Sequence, residues 1–180
     1  FDAEVFAGND LVENCASKKG GNVVLVRPVA QLNIATDAEG LHLGTTPVEL
    51  QKSYVKVTGL SATYNVYEGY GSTETANAVY GMADVPTGTV TVGAEHYTYV
   101  AMNYIGFMQQ SDITVDVDFT IQTSEGNINH TVSNVPVKPN YKTNIIGKLL
   151  TKATEFNVTI DANWATTEYE VAVWDGQSID

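Results

Sequence analysis

Residues 22–36 read Asn-Val-Val-Leu-Val-Arg-Pro-Val-Ala-Gln-Leu-Asn-Ile-Ala-Thr, and this segment sets the pattern for the rest of the chain. After Pro28, the apolar residues Ala30, Leu32 and Ile34 alternate with polar or small residues. A period of two is typical of a β-strand that buries one face. Because proline lacks a backbone N–H, Pro28 predicts a bend, a bulge or a sheet edge near the middle of this strand. We expect a long opening strand that other strands cover.

Similar alternation recurs along the chain and predicts a series of short strands. It is strongest in residues 113–121, where Val117 lies on the apolar face while Asp116 and Asp118 lie on the opposite face. A turn at residues 124–127 then predicts a hairpin with the strand that follows. The other strands are predicted at residues 53–59, 62–67, 97–105, 128–132, 156–161 and 169–173.

The remaining segments interrupt these strands. Residues 45–51 resemble a short helix start, residues 68–78 are small and polar and predict a loop, and residues 85–89 predict a turn. Residues 134–139 contain two prolines and therefore cannot form a central strand. Since no long helical periodicity is present, the sequence predicts an all-β fold with little helix. An antiparallel two-sheet β-sandwich is the natural way to bury such strands.

The length of 180 residues fits one ordinary domain with a short additional segment. Residues 11–21 are polar and end in glycine, so they predict a linker or loop and a boundary of the main domain near Gly20. The sequence opens on Phe1 rather than on methionine, so we also expect further residues upstream in the precursor.

The chain is acidic, with 9 basic and 21 acidic residues and a formal net charge of −12. This charge argues against nucleic acids and anionic membranes as partners. Cys15 is the only cysteine, so the chain cannot form an internal disulfide or a cysteine-based metal site. No apolar run approaches the ~20 residues that span a bilayer, and we expect no transmembrane segment.

Asp116 and Asp118 form a carboxylate pair with a spacing that suits catalysis. Side chains at positions i and i+2 of a strand lie about 7 Å apart, a separation that also occurs between the paired carboxylates of glycoside hydrolases. The alternative is that both belong to the solvent-exposed face of a half-buried strand. We favour this alternative, because the same alternation that places the two carboxylates outward places Val117 inward.

The other candidates for catalysis or cofactor binding are weaker. His42, His96 and His130 are far apart and have no metal-ligand spacing, which predicts loop or surface positions. Residues 69–71 read Gly-Tyr-Gly but lack the third glycine and the following helix of a nucleotide-binding loop. No serine lies in a Gly-x-Ser-x-Gly context. We therefore expect no catalytic, cofactor-binding or metal site, and a protein that is not an enzyme.

A second hypothesis is a glycan-binding module on the same β-sandwich. Trp164, Trp174 and the tyrosines at residues 67–80 are candidates for stacking on a sugar, although pairing within the sheets is the more common use of such rings. Asn129 and Asn157 begin sequences that match the N-glycosylation sequon, a match that is frequent by chance.

Four segments, residues 26–33, 55–59, 99–104 and 135–147, together resemble the fimbrillin-like proteins of Bacteroidetes. The most specific parts are Arg-Pro-x-Ala-Gln, which begins at Arg27, and Asn-Val-Pro-Val-x-x-Asn-Tyr-x-Thr-Asn-Ile. The similarity covers about residues 21–161.

This resemblance implies a cell-surface protein that is built of two transthyretin-like β-sandwich domains and exported as a lipoprotein to the outer membrane. It implies that residues 1–20 are the end of an N-terminal domain plus a linker and that residues 21–180 are a C-terminal β-sandwich domain. It implies roles in pilus assembly, anchoring or adhesion, with fimbrial subunits or other surface proteins as partners and with a host or glycan ligand as a further option. No family site residue can be carried over. Cys15 lacks the apolar run of a lipobox, so we do not assign it as the lipid-bearing cysteine.

In pilus-forming relatives, the resemblance implies that a segment of one subunit completes the sheet of the next. Such strand addition requires an edge strand with unpaired N–H and C=O groups. The candidate strands for this exchange are the opening strand with Pro28, residues 156–160 and residues 169–173.

Overall fold

The computed structural model describes residues 27–37, 41–43, 46–66, 69–106, 113–150 and 156–161. Most of these residues lie in β-strands that form several largely antiparallel sheets, and no α-helix occurs among them, so the all-β prediction is confirmed. The predicted boundary at residues 20–21 and the predicted strand at residues 169–173 lie outside the described residues.

Thirteen strands occur in the described part of the chain. In chain order they are β1 (Ala30–Thr36), β2 (His42–Leu43), β3 (Thr46–Pro47), β4 (Leu50–Ser61), β5 (Tyr64–Asn65), β6 (Tyr70–Gly71), β7 (Thr75–Asp84), β8 (Thr89–Val92), β9 (Glu95–Ile105), β10 (Ile113–Thr123), β11 (Gly126–Val137), β12 (Lys142–Gly147) and β13 (Phe156–Asp161). A five-stranded sheet has the order β13-β12-β1-β9-β8, and a four-stranded sheet has the order β11-β10-β4-β7. Two small pairs, β2–β3 and β5–β6, complete the topology.

The two large sheets share one apolar core. In β10 and β4 the side chains alternate between buried and more exposed positions, as the sequence predicts for strands with one buried face. Full burial of a valine such as Val57 contributes roughly 1.5–3 kcal/mol before the loss of chain entropy is subtracted. The core includes Leu32, Ile34, Val100 and Ile145 from the five-stranded sheet and Val57, Val117, Phe119 and Ile121 from the four-stranded sheet.

The opening strand differs from its prediction in three ways. β1 begins at Ala30, so Pro28 precedes the strand instead of interrupting it. β1 lies inside the five-stranded sheet, between β12 and β9, and all its residues are buried. Its polar side chains also lie inside the protein, since Gln31 is 6% exposed and Asn33 is 0% exposed. The alternation correctly identified one buried face, but it could not reveal that the second face is covered as well.

The prediction of purely antiparallel sheets also needs a correction. β1 runs parallel to β12, in a register that places Asn33 opposite Asn144 and Ile34 opposite Ile145. All other strand pairs in the two large sheets are antiparallel. Parallel neighbours require a long crossover connection, and here that connection contains all four strands of the four-stranded sheet. The five-stranded sheet is therefore mixed.

Two local segments differ from the sequence pattern. The possible helix start at residues 45–51, too short to predict as a helix, does not form, because residues 46–47 lie in β3 and residues 50–51 begin β4. Val48 donates a backbone hydrogen bond to the carbonyl of Leu41. The expected loop at residues 68–78 contains β6 and the start of β7, whose small residues pair with β4. In both places, cross-strand hydrogen bonds outweigh weak local propensity. The predicted strand at residues 62–67 is reduced to the two residues of β5.

Candidate interaction surfaces

The ends of the two large sheets decide whether strand addition is feasible. In the described part of the chain, the edge strands are β13 and β8 in one sheet and β11 and β7 in the other. The opening strand is therefore wrong as a candidate for exchange, because β12 and β9 occupy both of its sides. The second candidate, residues 156–160, lies in the edge strand β13. The third candidate, residues 169–173, falls outside the described residues.

β13 is anchored to the sheet on one side. It pairs antiparallel with β12, and Val158 lies opposite Ile145 and packs against the shared core. Ile160 is 45% exposed, although it is a large apolar side chain. Among the strands that the structure describes, β13 pairs with β12 alone. This strand therefore combines a fixed inner edge with an outer edge that can accept a further strand.

A buried ladder of polar side chains connects β13 to the interior of its sheet. Gln31 Nε2 donates to Asn33 Oδ1 at 2.8 Å, and Asn33 Nδ2 donates to Asn144 Oδ1 at 2.7 Å. Asn144 Nδ2 lies 3.5 Å from Thr159 Oγ1 on β13. Because buried amides are costly unless they are hydrogen-bonded, this polar ladder fixes the register of three adjacent strands. The sequence analysis missed it, since the partners of Asn33 cannot be identified from the spacing of its neighbours.

Asp116 and Asp118 lie on the outward face of β10, away from the core. Asp118 Oδ1 accepts a hydrogen bond of 2.7 Å from Thr131, and its Oδ2 lies 3.9 Å from Lys56 Nζ. Asp116 Oδ1 accepts a hydrogen bond of 3.0 Å from the backbone N–H of Asn134. Both carboxylates therefore bind neighbouring strands, and their positions support the interpretation of a sheet face rather than that of a catalytic pair.

The three histidines occupy separate positions. His42 and His96 are exposed, and Thr91 Oγ1 lies 2.9 Å from His96 Nδ1. His130 differs from the surface prediction. Its ring centroid lies 5.1 Å from that of Phe119, and its Nε2 donates a 2.6 Å hydrogen bond to the carbonyl of Leu149. Within the described ranges, no cluster of three or more His, Cys, Asp or Glu residues is placed to hold a metal ion.

The remaining sequence candidates do not converge on one place. Tyr70 and Gly71 form the short strand β6, which pairs with β5. Asn129 is exposed on β11 and its Oδ1 accepts a 2.7 Å hydrogen bond from Thr120 Oγ1, while Asn157 is exposed on β13. Trp164, Trp174 and Cys15 lie outside the described residues, so glycan binding through the tryptophans stays a prediction.

Tyrosines line the outer face of β9. Tyr97 and Tyr99 pack with Val90 and Ala35 in a small apolar cluster, and Tyr104 on the same face is 54% exposed. Burial raises the pKa of Tyr99, and the nearby Tyr104 raises it further. Burial also raises the pKa values of Tyr80 and Tyr64.

Because the pKa values of these tyrosines are raised in the folded state, we expect alkaline pH to destabilise the fold. Above about pH 10, tyrosines of the unfolded chain lose their protons while the buried phenols resist ionisation, so the folded state binds more protons. The free energy of unfolding is therefore expected to fall as the pH rises above this value. Urea titrations at about pH 8 and about pH 11 measure the change. Tyr80→Phe should show a smaller decrease than the wild type, and an equal decrease would contradict the role of Tyr80.

The described residues define an all-β protein with two large sheets, in which each end strand pairs with one neighbouring strand of its sheet. The chain belongs to a family of unknown function (DUF6562), whose sequence model matches residues 4–175. A comparison with curated proteins finds no match. Among the residues that the structure describes, no helix is long and apolar enough to cross a membrane.

Three solved structures are similar to this chain over 77% of its length. They come from Parabacteroides distasonis (12% identity, TM-score 0.39), Bacteroides fragilis (9% identity, TM-score 0.38) and Bacteroides uniformis (13% identity, TM-score 0.36). Each is provisionally described as a cell adhesion protein. The chain spans about half the length of these proteins, covering 52%, 46% and 52% of their residues in the same order.

Proposed function

We propose that this chain is a non-enzymatic structural or adhesion protein of the cell surface. In this proposal it is a fimbrial subunit or an anchor-like component that binds neighbouring subunits by β-strand addition. The observation that carries the proposal is the position of β13 at the end of the five-stranded sheet, with β12 as its partner among the described strands. A strand at such a position can accept an extended segment through main-chain hydrogen bonds.

The geometry of β13 supports this role in two further ways. Val158 packs against the core and Thr159 reaches the polar ladder, so the strand is held in place before any partner arrives. A preorganised strand binds with a smaller entropic cost than one that has to become ordered. Ile160 supplies an exposed apolar side chain next to the open edge, which a partner segment can cover.

The finer features of this proposal come from the resemblance to the fimbrillin-like proteins of Bacteroidetes. They comprise a transthyretin-like β-sandwich, a lipid-anchored precursor at the outer membrane and an extracellular position. Two observations support a structural protein over an acidic hydrolase. Asp116 and Asp118 lie on an outward sheet face, and both carboxylates already accept hydrogen bonds from β11.

A proline scan of residues 157–160 tests strand addition at β13. Along an edge strand, successive N–H groups alternate between the neighbouring strand and solvent. Proline at one set of alternate positions removes hydrogen bonds to β12 and lowers the free energy of unfolding. Proline at the other set removes outward donors, so it is expected to leave stability nearly unchanged and to prevent polymerisation, measured by sedimentation and electron microscopy.

Each proline variant that keeps its stability thus has a matched control in the variant at the adjacent position, which is expected to be less stable. Polymers that form equally well from the wild type and from every stable variant would overturn the role of β13. A wild-type chain that forms no polymers at any concentration would overturn self-assembly by strand addition.

A further inference from the structure

The opposite sheet ends in an edge strand that the proposed function does not use. β7 contains ten residues, and eight of them are exposed. In the described part of the chain it pairs with β4 alone. A Cβ built on Gly81 would meet no atom within 4 Å, so the space beside this part of the strand is open. β7 therefore presents a long edge that faces solvent.

β7 lacks most of the devices that usually protect an edge strand, although it contains one bulge at Gly81 and Met82. Proteins protect exposed edges with short strands, prolines, lysines or distorted backbones. β8 has four residues, and β11 contains Pro136 and a left-handed Asn134 with φ of 58°. β7 contains no proline, lysine or arginine, and its one acidic residue is Asp84 at the end. Its exposed apolar side chains are Val79 at 60% and Met82 at 47%.

The strand is also held in a fixed position. Tyr80 points inward and packs against the core, and its hydroxyl donates a 2.8 Å hydrogen bond to the carbonyl of Tyr104 on β9. Two register shifts interrupt its pairing with β4: Gly81 and Met82 lie opposite the single residue Tyr54, and Gly59 of β4 is an extra residue between the partners of Asn77 and Ala76. Residues 77–80 pair with β4 without a shift. Strands of about 3–10 residues are common, so this run is long enough to pair with another strand.

The charge distribution makes β7 a place where a second copy of this chain can approach. The chain carries a net charge of −12, so most of its surface repels another copy. Along β7 the charge is balanced, because Asp84 lies 3.6 Å from Lys52 and Lys56 lies opposite Val79. The small residues Ala76 and Ala78 allow two backbones to approach closely.

We propose that two copies of this chain form a homodimer in which their β7 strands pair antiparallel. A two-fold axis perpendicular to the sheets keeps the inner faces of both copies on the same side. Residue pairs across the axis then lie on the same face, so with the axis at Ala78, Asn77 of each copy lies opposite Val79 of the other. Each four-stranded sheet becomes half of a continuous eight-stranded sheet. This closed dimer is independent of the open-ended assembly proposed for β13.

Sedimentation velocity on the wild-type chain tests the proposal. The species should increase from the monomer mass of 19.4 kDa to twice that mass as protein concentration rises. The double variant Asn77→Glu, Val79→Glu places like charges against each other across the axis, so its dissociation constant should rise about tenfold or more. Within one copy, Lys56 lies opposite residue 79 and compensates part of the added charge.

The matched control is the double variant Val66→Glu, Asn127→Glu. It replaces the same residue types at exposed positions away from β7 and changes the net charge equally, so it should dimerise like the wild type. A second test places proline at Ala76 or at Asn77, since one of these two N–H groups points away from β4. The variant that retains its stability should be monomeric.

A wild-type chain that stays at 19.4 kDa at all concentrations would overturn the proposal, whether or not β7 binds another protein. Dimers of unchanged affinity in the β7 double variant would overturn it as well. If proline variants of β13 lose the polymers and keep the dimers, the two assemblies form independently of each other.

Discussion

Val117→Asp is expected to lower the free energy of unfolding by about 4 kcal/mol or more, enough to unfold a protein of ordinary stability. Val117 is 0% exposed, and it lies on β10 between Val57 of β4 and Val132 of β11. A carboxylate at this position would be buried among aliphatic side chains without a partner, and it would have to take up a proton or expel its neighbours. Urea denaturation followed by circular dichroism measures the change.

Asp116→Asn is the matched control for this substitution. Asp116 is exposed, and its Oδ1 accepts a hydrogen bond from the N–H of Asn134, which an asparagine oxygen can also accept. The expected change is within about 0.5 kcal/mol. Similar losses for Val117→Asp and Asp116→Asn would mean that the assignment of inner and outer faces of β10 is wrong.

Asn33→Ala is expected to have the second largest effect, a loss of about 2–5 kcal/mol. Asn33 is 0% exposed and occupies the middle of the polar ladder. Its removal leaves Gln31 Nε2 and Asn144 Oδ1 without their present partners in a buried environment. Each unsatisfied buried group costs about 1–3 kcal/mol. Asn157→Ala on exposed β13 is the matched control and should be nearly silent.

A double-mutant cycle with Asn33→Ala and Asn144→Ala tests whether the two amides act together. Because each single variant already leaves the other amide unsatisfied, the double variant should cost clearly less than the sum of the two single losses. Strict additivity of the losses in urea denaturation would contradict a coupled ladder.

The sequence predicted those strands that bury one face and expose the other. β10 is the clearest case, because its buried and more exposed residues follow the alternation of Val117 with Asp116 and Asp118. The hairpin with β11 also follows from the sequence, since its turn requires only local information. The two prolines at residues 134–139 correctly excluded a central strand, and Pro136 lies in the edge strand β11.

The central strand β1 could be predicted only in part. Its alternation is compatible with one covered face or with two, and both Gln31 and Asn33 would normally indicate solvent. Their burial depends on hydrogen-bond partners such as Asn144, which lies 111 residues further along the chain. Neither composition nor periodicity indicates that Asn33 and Asn144 are partners. The parallel arrangement of β1 and β12 and the polar ladder could therefore not be predicted.

Of the candidate surfaces, the sequence identified β13 and missed β7. Residues 156–161 alternate clearly, whereas β7 consists mainly of small residues with weak strand propensity, such as Ala76 and Gly81. The only indication of a strand was the apolar run Ala78, Val79 and Tyr80. The neighbouring glycines and polar residues favour a loop instead. β7 forms because β4 offers it a full set of backbone partners, which local propensity cannot show.

The parallel pairing of β1 with β12 has a consequence for how the protein is made. β1 leaves the ribosome before its neighbour β12, which begins at Lys142. Until β12 has been synthesised, the backbone groups on one side of β1 have no permanent partner, and a loop of more than a hundred residues has to close before they obtain one. Such distant contacts slow folding, so the nascent chain has to remain unaggregated until β12 has been synthesised.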